Sequence, residues 1–312
     1  MLKAIIKILV SVVLVVLLYF NIDFGFVLRE MEEISLSFLT IVLLLSAAGI
    51  IIEVIKWRVL LPTVSFGVFF ISFMYCELFT MILPGQMFGE VAKIAAFGKH
   101  TGKIDLSIST VVIDKITAVM GLIIFGLTGL IFSKSELPGG FTVILLACAV
   151  LALAALFLLK SEKLKKLLIT IVLLPRKITP KFENICGKAV GVIETWREYL
   201  DKPRLIVKTL LYGLLLYTVL LIQYVVICRY YEIPVSWIDL CWIMPVVNVV
   251  QSIPISFAGI GVRDVSLVSM FAMIGLPAES AALLAMILFI VIISRTVIGA
   301  IFVLFDILRI RK

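Results

Sequence analysis

LPGQMFGE (Leu83–Glu90) and IPISFAGIGVRD (Ile253–Asp264) decide how this chain folds. Each interrupts apolar sequence with a helix-breaking proline, several glycines and ionisable groups. Each joins two apolar segments that are short for membrane spans. In lipid, irregular backbone survives only where protein or a water-filled cavity covers it. Paired interruptions in the two halves of a membrane protein point to a transport-type binding site.

Working outward, the composition sets the class. The chain is 63% hydrophobic and 15% charged, with mean hydropathy +1.24. Soluble domains are nearer half apolar and a quarter charged, so this reads as an integral membrane protein. The net charge of +8 does not indicate nucleic acid, because eleven of the 28 Lys and Arg fall between Lys160 and Arg204. That is the signature of a cytoplasmic loop, and it suits anionic lipid head groups. The five cysteines lack metal-ligand spacing and read as packing residues, with a Cys228–Cys241 bridge as the alternative. His100, the one histidine, has no partner pattern, and no metal or cofactor is implied. Met1–Phe20 resembles a signal peptide without a cleavage site and reads as a first span.

Apolar segments run over Ala4–Phe20, Ser35–Ile52, Phe66–Leu83, Leu106–Phe132, Phe141–Leu159, Leu205–Ile227, Ile238–Ile253, Val265–Ile274 and Ser280–Leu308. Lys and Arg placement orients them. Asn21–Ile34 reads as outside, and Glu53–Leu61 as inside with Lys56 and Arg58. If Phe66–Leu83 crossed fully, Lys93, Lys99, His100 and Lys103 would lie outside, against the charge rule. A turn back at LPGQMFGE returns them inside. The mirror-image reasoning turns the chain back at IPISFAGIG, from the outer side. The expected fold is therefore all-α, with six full spans and two re-entrant helical hairpins, 66–98 and 238–274, in an inverted-repeat arrangement. The first half is 1–159 and the second 205–312. Residues 160–204 form a basic amphipathic cytoplasmic connector, whose helix should follow Thr179-Pro180. It lies on the membrane surface or simply links the halves. Both termini are expected in the cytoplasm. The rival reading is eight or nine plain spans.

Charges inside spans are costly, about 2.5–3.5 kcal/mol for a central Arg on insertion scales. Arg295 lies midway along the last segment and should face a counter-charge, a polar cavity or an anionic ligand. Asp114 and Lys115 are adjacent, about 100° apart on a helix, and cannot simply pair. Asp114 is expected to meet Arg263 or Arg295, and Lys115 to reach the inner head groups. Glu77 precedes the first turn by two helical turns. Glu90 and Asp264 open returning arms, where acids suit the helix dipole. Arg263 does not, and with free N–H groups at a helix start it would make a phosphate site. Asn248 and Gln251 share a face, with Ser252 and Ser256 nearby, for ligand or for helix packing. Gly85, Gly89, Gly259 and Gly261 allow close backbone approach beside Pro84 and Pro254.

These residues carry a family resemblance. LPGQMFGEVAKIAAF, VVIDKITAVMGL and IPISFAGIGVRDVSLVSMFAMIGLPAESA, followed by an Arg in the last helix, resemble the transmembrane region of lysylphosphatidylglycerol synthases. The most specific piece is P-x-S-x-x-G-x-G-x-R-[DE], met by Pro254, Ser256, Gly259, Gly261, Arg263 and Asp264. A Pro-Gly…Gly-[ED] motif is met by Pro84, Gly85, Gly89 and Glu90, with Lys93 as the basic residue that tends to follow. The family's [DE]-R pair appears as Asp114-Lys115, and Lys lacks the bidentate fork of Arg. The resemblance implies a flippase-like membrane region. In the family, aminoacyl transfer belongs to a soluble domain, and the resemblance, confined to the membrane region, does not lead us to expect that activity here.

The expected function is translocation of a lipid or lipid-linked substrate, anionic or polyprenyl-phosphate, between leaflets of the inner membrane. The head group would sit in a mid-membrane cavity at the hairpin tips, held by Arg263 and Arg295. Asp114, Glu77 and Glu90 would balance charge. No G-x-x-x-x-G-K-[ST] motif is present. The alternative is a non-transporting accessory protein that presents a lipid to an enzyme such as a glycosyltransferase, docked on 160–204. An intramembrane enzyme is a third class, but no nucleophile–base pair is visible and an enzyme is not expected.

Overall fold

Ser35 starts the first long helix by the usual rule: its hydroxyl accepts the Phe38 N–H at 3.3 Å and caps Leu36–Arg58. Pro203 starts another at its first position, where the missing N–H costs nothing. The computed structural model describes residues 24–83, 87–135, 139–158, 161–178, 201–252 and 259–310, with 186–187, 190–191, 193–194 and 198–199. Among them are eleven helices and no strand. They are α1 (Phe24–Glu32), α2 (Leu36–Arg58), α3 (Phe66–Ile82), α4 (Met87–Thr101), α5 (Ile104–Phe132), α6 (Gly139–Leu158), α7 (Glu162–Ile178), α8 (Pro203–Tyr230), α9 (Trp237–Ser252), α10 (Val262–Met273) and α11 (Ala278–Ile310). The proposed first span and the tip residues Pro84, Gly85, Pro254 and Ser256 lie outside the described residues.

Four helices are long and apolar enough to cross a membrane: Leu36–Arg58, Ile104–Phe132, Pro203–Tyr230 and Ala278–Arg309. Their outer surfaces carry Leu44, Ile131, Leu211 and Phe305, all exposed. An apolar exterior of this extent is sustained by lipid, and the chain is a membrane protein.

The helices pack in matched pairs. Align α2 with α8, α3 with α9, α4 with α10 and α5 with α11. Contact α3–α4 then matches α9–α10, and α4–α5 matches α10–α11. Likewise α3–α11 matches α9–α5, α2–α3 matches α8–α9, α2–α5 matches α8–α11, and α8–α5 matches α2–α11. The α2–α8 contact maps onto itself. Each half has its own packed cluster. Trp57, Phe69, Phe73 and Phe97 fill one, with the Trp57 and Phe69 rings edge-on at 4.8 Å. Trp242, Phe271, Leu284 and Ile287 fill the other.

In lipid, water does not drive helices together, so close packing and polar contacts must. Two glycines bring backbone against backbone across the matched seams. A Cβ on Gly129 of α5 would lie 2.5 Å from the Trp242 backbone nitrogen of α9. A Cβ on Gly299 of α11 would lie 2.9 Å from the Met74 carbonyl oxygen of α3. These are the two matched seams α5–α9 and α11–α3. Ser133 and Ser135 add hydroxyl donors to Asp239 at 2.5 and 3.0 Å, tying the end of α5 to the start of α9.

Some sequence expectations change here. The connector is helical earlier than expected, over Glu162–Ile178, where a basic loop was read. Much of the expected later helix lies outside the described residues, but Tyr199 is buried and donates to the Leu60 carbonyl at 3.2 Å. All five cysteines are free, so the Cys228–Cys241 bridge is absent. Lys93 is 1% exposed, so it is a core residue and not a cytoplasmic surface charge. It lies over the Trp57 ring at 4.8 Å, a position that stabilises a desolvated cation.

Candidate functional site

A cavity of about 210 Å³ lies where α3, α8, α9, α10 and α11 converge. Glu77 and Thr80 of α3 face it, with Gln223 and Tyr224 of α8, Asn248 and Gln251 of α9, Arg263 of α10, and Arg295 and Thr296 of α11. Met244, Leu288 and Val291 complete an apolar side. The structure thus brings together Glu77, Asn248, Gln251, Arg263 and Arg295, five residues singled out from sequence alone.

Arg295 finds its counter-charge in Glu77. Nε donates to Oε2 at 2.9 Å and Nη2 to Oε1 at 2.5 Å, a bidentate pair. Glu53 of α2 stands 3.8 Å from the same Nη2. Sequence reasoning missed Glu53, because it read the end of α2 as the start of an inner loop. Arg263 is 3% exposed. Its Nε and Nη2 donate to Asp264 Oδ1 at 2.8 and 2.6 Å, and Nη2 also donates to the Ala285 carbonyl at 2.9 Å. Nη1 is buried and has no hydrogen-bond partner among the described residues.

The start of α10 is less open than expected. Asp264 Oδ2 accepts from the Gly261 N–H at 3.1 Å, and the Arg263 N–H donates to the Gly259 carbonyl at 3.0 Å. Those two donors are already used, and Arg263 would meet a phosphate through its side chain. Gly259 and Gly261 adopt φ of +77° and +83°, conformations that glycine tolerates. A Cβ on Gly259 would also strike the Gln251 side chain. Asn248 Nδ2 donates back to the Met244 carbonyl at 2.8 Å.

Asp114, Glu90 and Lys115 are elsewhere. Asp114 does not meet Arg263 or Arg295. It pairs with Lys56 of α2 at 2.9 Å, both side chains 3% exposed. Lys56 had been read as an inner-end charge; it lies one turn from Glu53 on α2, so both face the interior. Glu90 does more than cap α4: it bridges Lys93 at 2.7 Å and Lys115 at 2.5 Å. Lys115 therefore has a protein partner, although its side chain is 54% exposed. Gly89 makes that cluster possible, since a Cβ there would lie 2.8 Å from the Cys76 carbonyl of α3. No group of three or more His, Cys, Asp or Glu able to hold a metal ion occurs among the described residues.

A family model described as the lysylphosphatidylglycerol synthase TM region matches residues 4–299. No curated protein and no solved structure matches the chain.

Proposed function

The chain belongs to the lysylphosphatidylglycerol synthase TM-region family, and on that premise we propose that it moves a lipid or lipid-linked substrate between the leaflets of the cell membrane. The observation that carries this reading is the polar cavity between the halves. It places two guanidiniums, a carboxylate and three side-chain amides among helices that are otherwise apolar. Ionisable groups at such depth are retained for function or for a structural pair. The head group occupies this cavity, and its phosphate meets Arg263 and Arg295.

The matched contacts support an inverted repeat, with 1–159 and 205–312 as the halves and 160–204 as the connector. In this arrangement α3–α4 and α9–α10 are the re-entrant hairpins. The six spans are α2, α5, α6, α8 and α11, with a first span near the N-terminus. Both termini are then cytoplasmic. Movement is downhill, ion-coupled or driven by partner enzymes.

The accessory reading draws on α7. Lys163, Lys165 and Lys166 cluster at its start, and α7 forms no extended contact with another described helix. A cytoplasmic enzyme would dock there.

Reconstitution with leaflet-specific labelled phospholipids and polyprenyl phosphates tests the proposal. Accelerated exchange of at least one such lipid is expected. If wild type accelerates none while a pull-down through 160–204 retains an enzyme, the accessory reading replaces it.

A further inference from the structure

The two cavity arginines are not equivalent. The Arg295 fork is filled by Glu77, with Glu53 behind it. The Arg263 guanidinium is committed on one edge to Asp264 and Ala285, and Nη1 has no hydrogen-bond partner among the described residues. A buried donor on a charged group is rarely left unmatched, so each exception calls for a reason. Nη1 is the uncommitted nitrogen of a residue that walls the cavity. Three carboxylates, Glu53, Glu77 and Asp264, already face these two guanidiniums. An incoming anion finds Arg263 Nη1 uncommitted, whereas the edge of Arg295 that holds Glu77 opens to it only by displacing that carboxylate.

Resting on the translocation reading of this cavity, we propose that Arg263 is the standing anchor for one phosphate oxygen and that the Arg295–Glu77 bridge is a latch which the same phosphate opens by exchange. Glu77 lies on α3 and Arg295 on α11, so the bridge ties the first half to the second across a matched seam. The ligand class is a lipid with a single phosphodiester and a small head group. The cavity of about 210 Å³ takes a phosphate with a glycerol-sized substituent. Met244, Leu288 and Val291 give the cavity an apolar wall suited to the adjoining glycerol-ester region of a lipid.

The test uses the full chain in detergent, with binding read by native mass spectrometry or calorimetry. The probes are short-chain phosphatidylglycerol, the matching diacylglycerol, free glycerol 3-phosphate and a polyprenyl diphosphate carrying a disaccharide. Phosphatidylglycerol is expected to bind, diacylglycerol and the disaccharide lipid at least about tenfold more weakly, as for loss of a charge-assisted hydrogen bond. Glycerol 3-phosphate is expected to compete only weakly, which separates a lipid site from a free-phosphate site. Arg263→Gln should weaken phosphatidylglycerol about tenfold or more. Glu77→Gln should tighten it several-fold, because it frees the Arg295 fork. Equal binding of phosphatidylglycerol and diacylglycerol overturns the proposal. So does tighter binding of the disaccharide lipid, or of glycerol 3-phosphate. A Glu77→Gln protein that binds phosphatidylglycerol no better than wild type also overturns it, since Glu77 is then no latch. The lipid series on wild type settles the anchor if Arg263→Gln does not fold. If binding follows this pattern but no lipid is exchanged between leaflets, the translocation reading fails and this one stands. If exchange occurs with no dependence on Arg263, the reverse holds.

Discussion

Asp114→Leu leaves the Lys56 ammonium buried without its carboxylate, and Lys56→Met leaves the Asp114 carboxylate buried without its cation. Both side chains are 3% exposed and the Nζ–Oδ1 distance is 2.9 Å, so neither charge has water to fall back on. Breaking such a pair from one side costs about 3–5 kcal/mol. The two single changes should differ. After Asp114→Leu, Lys56 Nζ still has the Asp114 backbone carbonyl at 3.3 Å, which places that variant near the lower end. After Lys56→Met, no other donor to the carboxylate is present among the described residues, which places that variant near the upper end. The double variant removes both charges, and replacing a buried pair by apolar groups is often neutral or stabilising by 1–4 kcal/mol. A coupling energy of about 3 kcal/mol or more is expected from reversible unfolding in mixed micelles, read by tryptophan fluorescence. Either single variant losing less than about 1 kcal/mol, or a double variant no better than the sum of the singles, refutes the reasoning. If the double variant folds and still exchanges lipid, the pair is structural.

Gly129→Leu forces a side chain into the Trp242 backbone and should cost about 3 kcal/mol or more. Gly140→Leu, with nothing within 4 Å of its added Cβ, should change stability by less than about 0.5 kcal/mol in the same assay. Glu90→Gln removes the carboxylate that Lys93 bridges at 2.7 Å in the core and should cost about 3 kcal/mol by micelle unfolding. In a background with the exposed Cys148 replaced, Lys99→Cys and Lys103→Cys should react with an impermeant maleimide from the same side as Arg58→Cys. Arg29→Cys and Lys134→Cys should react from the opposite side, and labelling of Lys99→Cys alongside them would sink the hairpin arrangement.

The membrane class was legible because composition alone excludes a water-soluble exterior. The helices around the breaks were legible because Pro and Gly cluster there with ionisable groups, whereas single ones such as Pro245 and Gly129 are carried inside helices. Glu77, Asn248, Gln251, Arg263 and Arg295 were legible as a set because ionisable and amide groups are costly in apolar helices and so stand out. Their partners were not. Arg295–Glu77 and Lys56–Asp114 join residues far apart in sequence, and pairing at that range depends on how helices cross. Charge counting also misread Lys93, which looked like a cytoplasmic surface marker but is covered by Trp57 and Phe73. It is a charge whose solvation is supplied by the protein, which no sequence window can register. The helical start of the amphipathic connector was less legible: its first lysines read as a loop, and a helix was expected only after Thr179-Pro180.

The glycines at the two matched seams have a mechanical consequence. Where Gly129 meets Trp242 and Gly299 meets Met74, main chain lies directly on main chain. Side chains that interdigitate act as teeth, and helices so engaged resist sliding until the teeth ride over one another. A glycine contact has no tooth at its closest point, so the surfaces form a plain bearing on which small shear displacements meet little friction. Both bearings sit on helices that bridge the halves. Adding even a methyl group to either would act as a stop on relative motion, whatever it did to stability.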